Sequence, residues 1–301
     1  MLGLRLFSSR AVGALAASVG AATVLKAYSD SPARAEAEAP GALNPDEWRA
    51  FKLRSKEQVT HDTTRFRFDL PDKNQTFGLH VASCFVTRAA VGDEKEDGSK
   101  KFVIRPYTPC SEPTAKGYFD LVIKVYPGGK ISNHVLSLKE GDELECKGPI
   151  NKLEYKPNMK KSIGMIAGGS GLTPMLQVIQ AIVGNPEDKT KVTFLFANKT
   201  EEDIILRKEL DELAKKHDNL KIHYVVDKAS SKDWKYTTGH VNKELVQQQL
   251  PPPGSDSLIL VCGPPPMMKA ISGDKVSPKD QGELSGVLKD AGFTKEQVYK
   301  F

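Results

Sequence analysis

Cysteine is scarce in this chain and never paired in sequence. Cys84, Cys110, Cys146 and Cys262 are spread over 301 residues, none in a Cys-x-x-Cys and none with a histidine-rich spacing beside it. This argues against an iron–sulfur cluster, an attached haem and a structural zinc, so no metal is expected and the thiols read as separate and reduced. Long Lys/Arg blocks are also missing. The net charge of +5 is spread along the sequence, so nucleic acid is not an expected partner, and an acidic protein or membrane surface suits it better. Acidic residues are absent before Asp30, where Arg5, Arg10 and Lys26 are the only charges. The uncharged run between Arg10 and Lys26 reaches only about 22 Å as a helix, short of a hydrocarbon core of about 30 Å.

What is present divides the chain into four parts. Residues 1–29, with arginine, serine and no acid, read as a mitochondrial targeting segment that also serves as a membrane anchor. Residues 30–45, with Pro32, Pro40, Gly41 and Pro45, read as a linker. Residues 46–157 carry alternating patterns at Phe66, Phe68 and Leu70 and again at Phe119, Leu121, Ile123 and Val125. Further strands are expected at 81–86, 102–104 and 143–147, which together predict a small antiparallel Greek-key β-barrel. Residues 158–301 alternate strands (163–167, 192–197, 221–226, 258–262) with helical runs. One such run starts at Pro174, and another carries Ile204, Ile205, Leu210 and Leu213. This rhythm predicts a doubly wound α/β parallel sheet with ligands at the carboxyl ends of its strands.

Four stretches carry chemistry. Arg105-Pro106-Tyr107-Thr108 ends a strand and offers a guanidinium for phosphate, an aromatic ring and a hydroxyl. Gly129-Lys130-Ile131-Ser132 opens a short helix, with Ser132 as the expected N-cap and backbone amides free for an anion. Gly168-Gly169-Ser170-Gly171, followed by Thr173 and Pro174, joins a strand to a helix, the setting in which backbone N–H groups seat a phosphate. Cys262-Gly263-Pro264-Pro265-Pro266-Met267 follows the last strong strand as a rigid proline loop that presents the cysteine at a fixed place. Asp227 ends another strand, where a carboxylate can bond ribose hydroxyls and repel the extra phosphate of NADP. It lies too far from the glycine loop for the simple dinucleotide fingerprint, and on its residue type alone a surface aspartate is the favoured reading.

In their order and spacing these stretches resemble the ferredoxin–NADP reductase superfamily and, within it, the NADH–cytochrome b5 reductases, over nearly everything from Phe51 onward. Ser277 to Leu284, the terminal Lys300-Phe301 and the presequence-like start look like the fungal mitochondrial form. The resemblance implies an FAD-binding barrel followed by an NADH-binding domain. By motif match Arg105, Pro106, Tyr107, Thr108, Val122, Lys124, Gly129, Lys130, Ile131, Ser132 and Thr173 hold FAD. Gly168 to Gly171, Pro174, Asp227 and Cys262 to Met267 hold NADH, with Thr108 and Cys262 near the flavin and nicotinamide and no side chain acting as acid or base. Ile131 stands where many relatives have Met, and Ser170 where Thr is common. The implied reaction is hydride transfer from NADH and delivery of single electrons to cytochrome b5 or a b5-like haem protein, whose acidic haem edge suits this basic chain. The implied location is the mitochondrial outer membrane, with a processed intermembrane-space form, and a monomer is expected. Alternatives are the flavin reductase module of a related system with another one-electron acceptor, and a non-catalytic nucleotide-binding redox sensor.

Overall fold

Phe119 lies at the centre of the first sheet. Its ring stacks on Phe77 at 3.9 Å and on Phe68 at 5.2 Å, and it meets Phe51 edge-on at 5.3 Å. The strands around it are β1 (Arg49–Thr60), β2 (Thr63–Asp69), β3 (Ser83–Ala89), β4 (Val103–Tyr107), β5 (Tyr118–Lys124) and β6 (Glu143–Asn151), antiparallel in the order β4-β3-β6-β1-β2-β5. β1 pairs with β6 through Arg49–Lys52 and then with β2 from Leu53 onward. That change of partner folds the two halves of the sheet over one core, which takes residues from β1, β2, β3, β5 and β6, with Tyr107 of β4 packed against it. The sequence pattern did not predict β1, because only Phe51, Leu53 and Thr60 of its twelve residues are buried. Without alternation a solvent-facing strand has no period-2 signature.

The structure, a computed structural model, describes residues 41–301. The expected targeting segment and most of the expected linker lie outside those residues. The described end of the linker is packed: Ala42 and Leu43 are buried, and their N–H groups donate to the Thr76 and Phe77 carbonyls at 3.0 and 3.1 Å.

The second sheet contains β7 (Ser162–Gly168), β8 (Lys191–Asn198), β9 (Leu220–Val226), β10 (Thr237–Thr238), β11 (Ser257–Cys262) and β12 (Val298–Lys300). All pairs are parallel, in the order β10-β9-β8-β7-β11-β12. The chain runs outward from β7 to β10, then returns to lay β11 on the other side of β7. The direction of winding therefore reverses between β7 and β11, the place where open parallel sheets leave a crevice for ligands. Gly168 and Cys262 stand at the carboxyl ends of those two strands.

The helices are α1 (Lys130–Ser137), α2 (Leu172–Gly184), α3 (Arg207–Lys216), α4 (Lys243–Gln249), α5 (Pro265–Ser272) and α6 (Gly286–Asp290). Three local expectations are corrected here. Ile204 and Ile205 precede α3 instead of lying within it, because Leu206 takes a left-handed backbone at φ 55° that interrupts the helical run. Ser132 is not the N-cap of α1. Gly129 holds that position, and the Ser132 hydroxyl donates back to its carbonyl at 3.2 Å. The proline loop is shorter than expected, since Pro265 already begins α5; a proline in the first turn forfeits no intrahelical bond.

Residues 41–301 lie in one compact unit containing both sheets, and α2 runs along their seam. Gln177 Oε1 accepts from the Ser83 N–H at 3.2 Å, and Gln180 Nε2 donates to the Cys110 carbonyl at 3.1 Å. Two ion pairs close the same seam, Arg65 to Glu209 at 2.7 Å and Lys124 to Asp203 at 3.1 Å.

Candidate active site

The seam opens into a cleft of about 840 Å³ at the switch point of the second sheet. Its first wall comes from the end of β4, the middle and end of β5, and the entry to α1. Arg105, Pro106, Tyr107, Thr108, Val122, Lys124, Gly129, Lys130, Ile131 and Ser132 all line it. Its second wall comes from the β7–α2 turn (Ser170, Gly171, Thr173, Pro174) and from Cys262, Gly263 and Pro264. The two sets of motifs, far apart in sequence, thus face one space.

The remaining candidates sit behind or away from that space. Gly168, Gly169, Pro265, Pro266 and Met267 do not line it. A Cβ on Gly168 would fall 2.5 Å from the Met267 sulfur, so these two hold the β7 and β11 turns against each other. Asp227 is exposed at the end of β9, 3.3 Å from Nδ1 of His240, and is not brought to the cleft.

Among the described residues no aspartate or glutamate lines the cleft, while Arg105, Lys124, Lys130, Lys152 and Lys275 do. Such a wall suits a ligand that carries phosphates. Two of the cations are already paired. Lys130 bonds Asp93 at 2.8 Å, and Lys124 is held by Asp62 at 2.7 Å and Asp203 at 3.1 Å. His61, Asp62 and Asp203 converge there, and the Lys124 ammonium supplies the cation that this acidic group needs. Arg105 spends one donor on the neighbouring Ile104 carbonyl at 2.8 Å, and no carboxylate pairs with it among the described residues. Its remaining guanidinium donors are available to a phosphate.

Burial sets the protonation of the other polar groups. It pushes the Tyr107 hydroxyl up to about 12, with Arg105 opposing. It pushes the Cys262 thiol up to about 12 as well, opposed by Lys275. Both stay protonated at neutral pH: Tyr107 remains a hydrogen-bond donor, and Cys262 is a neutral group rather than a thiolate nucleophile.

Motif reading missed part of the cleft. Ser83, Cys84, Lys152, Lys275, Ser277 and Pro278 also line it, and so does Phe301. Ser277, Pro278 and Phe301 stood out in the sequence as marks of a resemblance, but nothing local there indicates a place in the site.

Comparison with known proteins agrees with this geometry. Residues 50–155 match the oxidoreductase FAD-binding domain family, and residues 165–273 match the oxidoreductase NAD-binding domain family. An NADH-cytochrome b5 reductase-like protein of Arabidopsis thaliana is 57% identical over 260 residues, covering 86% of this chain and 78% of the relative. The chain belongs to the NADH-cytochrome b5 reductase family. NADH-cytochrome b5 reductase 2 of Scheffersomyces stipitis is 47% identical over 300 residues, covering 99% of this chain and 97% of that one. Among solved structures, the cytochrome b5 reductase domain of Ulva prolifera nitrate reductase superposes with a TM-score of 0.75 at 37% identity. It covers 87% of this chain and 100% of that one. The protein is therefore a flavoprotein oxidoreductase of FAD and NAD, built from an FAD-binding and an NAD-binding domain. Among the described residues, no helix is long and apolar enough to cross a membrane.

Proposed function

We propose that this chain takes a hydride from NADH and passes the electrons one at a time to cytochrome b5 or a b5-like haem protein. The observation that carries the reading is one cleft at the switch point, walled by both motif sets and lined by no aspartate or glutamate among the described residues. When bound, FAD supplies the chemistry that connects a two-electron donor to one-electron acceptors. The chain's own part is to bind, orient and neutralise. Arg105 and the backbone amides of Gly129 to Ser132 take the FAD pyrophosphate, while Tyr107, Thr108, Val122 and Lys124 flank the ring system. Thr173 reaches the same cofactor from the second sheet. The Gly168–Gly171 turn and the start of α2 take the NADH pyrophosphate. Cys262, protonated by burial, packs beside the nicotinamide without adding charge. No side chain has to move a proton for the hydride step, so positioning dominates.

The acceptor is recognised from outside the cleft, and the net charge of +5 of the chain as a whole favours an acidic partner. Turnover with cytochrome b5 is expected to fall about tenfold between low and physiological-plus salt, as screening shortens to about 8 Å. A flat salt profile would contradict a charge-steered encounter. The likeness to a nitrate reductase domain favours a second reading, in which the chain is the flavin reductase module of a related system with another one-electron acceptor. Comparing turnover with cytochrome b5 against other haem acceptors separates the two. Measurable turnover with either rules out a non-catalytic redox sensor.

Asp227 is assigned to the adenosine ribose of NADH from its strand-end position, although it lies outside the cleft wall. Its charge then disfavours the 2′-phosphate of NADPH. Asp227→Ser is expected to lower the NADH-over-NADPH ratio of kcat/KM by about tenfold, the size of a lost repulsion of about 1.4 kcal/mol. An unchanged ratio would remove Asp227 from the site.

We further infer targeting to the mitochondrial outer membrane by residues 1–29, with a processed form in the intermembrane space and a monomeric catalytic unit. The acid-free, arginine-containing start supports targeting, and the Scheffersomyces stipitis relative aligns over 99% of the chain. Carbonate extraction and N-terminal sequencing of the protein from mitochondria should yield a membrane-retained long form and a soluble short one. Full extraction of an intact chain would refute the anchor.

A further inference from the structure

Three lysines meet where the C-terminal segment closes the cleft. Lys300 is 2% exposed, and its Nζ donates to the Glu283 carbonyl at 3.0 Å and to the Asp274 carbonyl at 3.3 Å. Its own carbonyl accepts from Lys275 Nζ at 2.9 Å and from Gln281 Nε2 at 3.1 Å. The last strand thus pins the 274–283 segment from both sides and fixes Lys275 on the cleft wall that Lys152 also lines. Neither Lys275 nor Lys152 pairs with a carboxylate among the described residues. Arg105, Lys124 and Lys130 also line the cleft, and its remaining side chains, the Cys84 and Cys262 thiols among them, are neutral.

Unpaired, partly buried charge of one sign is costly unless something at the site uses it. We propose that Lys275 and Lys152 form an electropositive wall that stabilises the negative charge entering the cleft with the hydride, and so set how readily the bound flavin is reduced. This rests on the proposed function, in which the Cys262 side of the cleft is the redox end. The balance is simple. The C–H bond of the dihydronicotinamide breaks, a bond from hydrogen to the flavin forms, NADH is oxidised and FAD reduced. Two electrons arrive with one proton, so the bound cofactor gains one unit of negative charge. Fixed cations that face that charge favour the reduced form without moving.

The lysine pair is set up for this task. Burial, then repulsion from Lys152, lowers the Lys275 pKa from its ordinary value, with the nearby Lys300 adding to it. An arriving negative charge relieves that repulsion. The FAD pyrophosphate and the NADH pyrophosphate have other partners in the same cleft: Arg105 with the α1 entry, and Ser170 and Gly171 at the start of α2.

The test is a spectroelectrochemical titration of the FAD-loaded full chain. Lys275→Met and Lys152→Met are each expected to make two-electron reduction about tenfold less favourable, a shift of about 30 mV downward. Lys275→Arg is expected to keep the wild-type potential, and the affinity for NAD+ should change less than twofold in all variants. Lys152→Met reports the effect even where Lys275→Met folds poorly, because Lys152 holds no segment in place. An unchanged potential in both methionine variants would overturn the proposal. So would a loss confined to NAD+ affinity, which would make the pair a phosphate clamp, or equal shifts for Lys275→Arg and Lys275→Met, which would mean packing and not charge. A wild-type chain that takes up no FAD would instead sink the proposed function, and this inference with it.

Discussion

Gly171→Val is expected to lower kcat/KM for NADH at least about 100-fold, while Gly184→Ala, at the other end of the same helix, is expected to leave it unchanged. A Cβ on Gly171 would fall 2.2 Å from the Cys262 carbonyl oxygen and 3.1 Å from the Gly263 nitrogen. Both neighbours are backbone, so no side-chain rotation relieves the contact. The glycine is required here for closeness rather than conformation, since its φ of −62° is open to any residue. The turns after β7 and β11 would have to separate, and those turns carry the second wall of the cleft. Overpacking that moves backbone costs about 3 kcal/mol or more, which is worth roughly a hundredfold in rate if it is spent on the site. Gly184 is different: nothing lies within 4 Å of its added Cβ, and alanine suits a helix better than glycine. Steady-state kinetics with bound FAD measured alongside decides the matter. Gly171→Val retaining activity within about fivefold would mean that the two turns need not touch.

Arg105→Gln is expected to weaken FAD binding by about 10- to 100-fold. A charge-assisted hydrogen bond contributes about 1.5–3 kcal/mol, and Arg105 has no carboxylate partner that would compete for it. Among the described residues its side chain makes one hydrogen bond, to the Ile104 carbonyl, so the thermal stability of the FAD-free protein should barely move. Arg105→Lys restores the charge without the two-pronged geometry and should recover only part of the affinity. Fluorescence titration of FAD into the stripped protein reads all three forms. Equal affinity for wild type and Arg105→Gln would detach this arginine from the pyrophosphate.

Much of the site was legible in the sequence because its chemistry sits at element ends, where glycine, proline and capping residues leave local marks. Arg105–Thr108, Gly129–Ser132 and Ser170–Pro174 all reach the cleft as their motifs suggested, and the 3.6-residue pattern after Pro174 found the seam helix. Three kinds of feature left no such mark. β1 is a strand held by its neighbours on both sides, and its polar middle shows no alternation. The prolines after Cys262 read as a rigid loop, although in the first turn of a helix they are equally at home. Lys275 and Phe301 reach the cleft because β12 lies beside β11 and Lys300 ties the preceding segment down, and Lys152 because it follows the end of β6. That placement is a property of the sheet order, which no short window contains. Asp227, at the exposed end of β9, lies outside the wall that the other motif residues share.

The central claim is that one cleft couples NADH to a one-electron haem acceptor, and an anaerobic titration tests it most directly. The purified chain should carry one FAD, and one equivalent of NADH should bleach it. Oxidised cytochrome b5 added afterwards should restore the yellow colour while two haems become reduced. A chain that takes up no FAD, or a bleached flavin that cytochrome b5 leaves unchanged, would contradict the account.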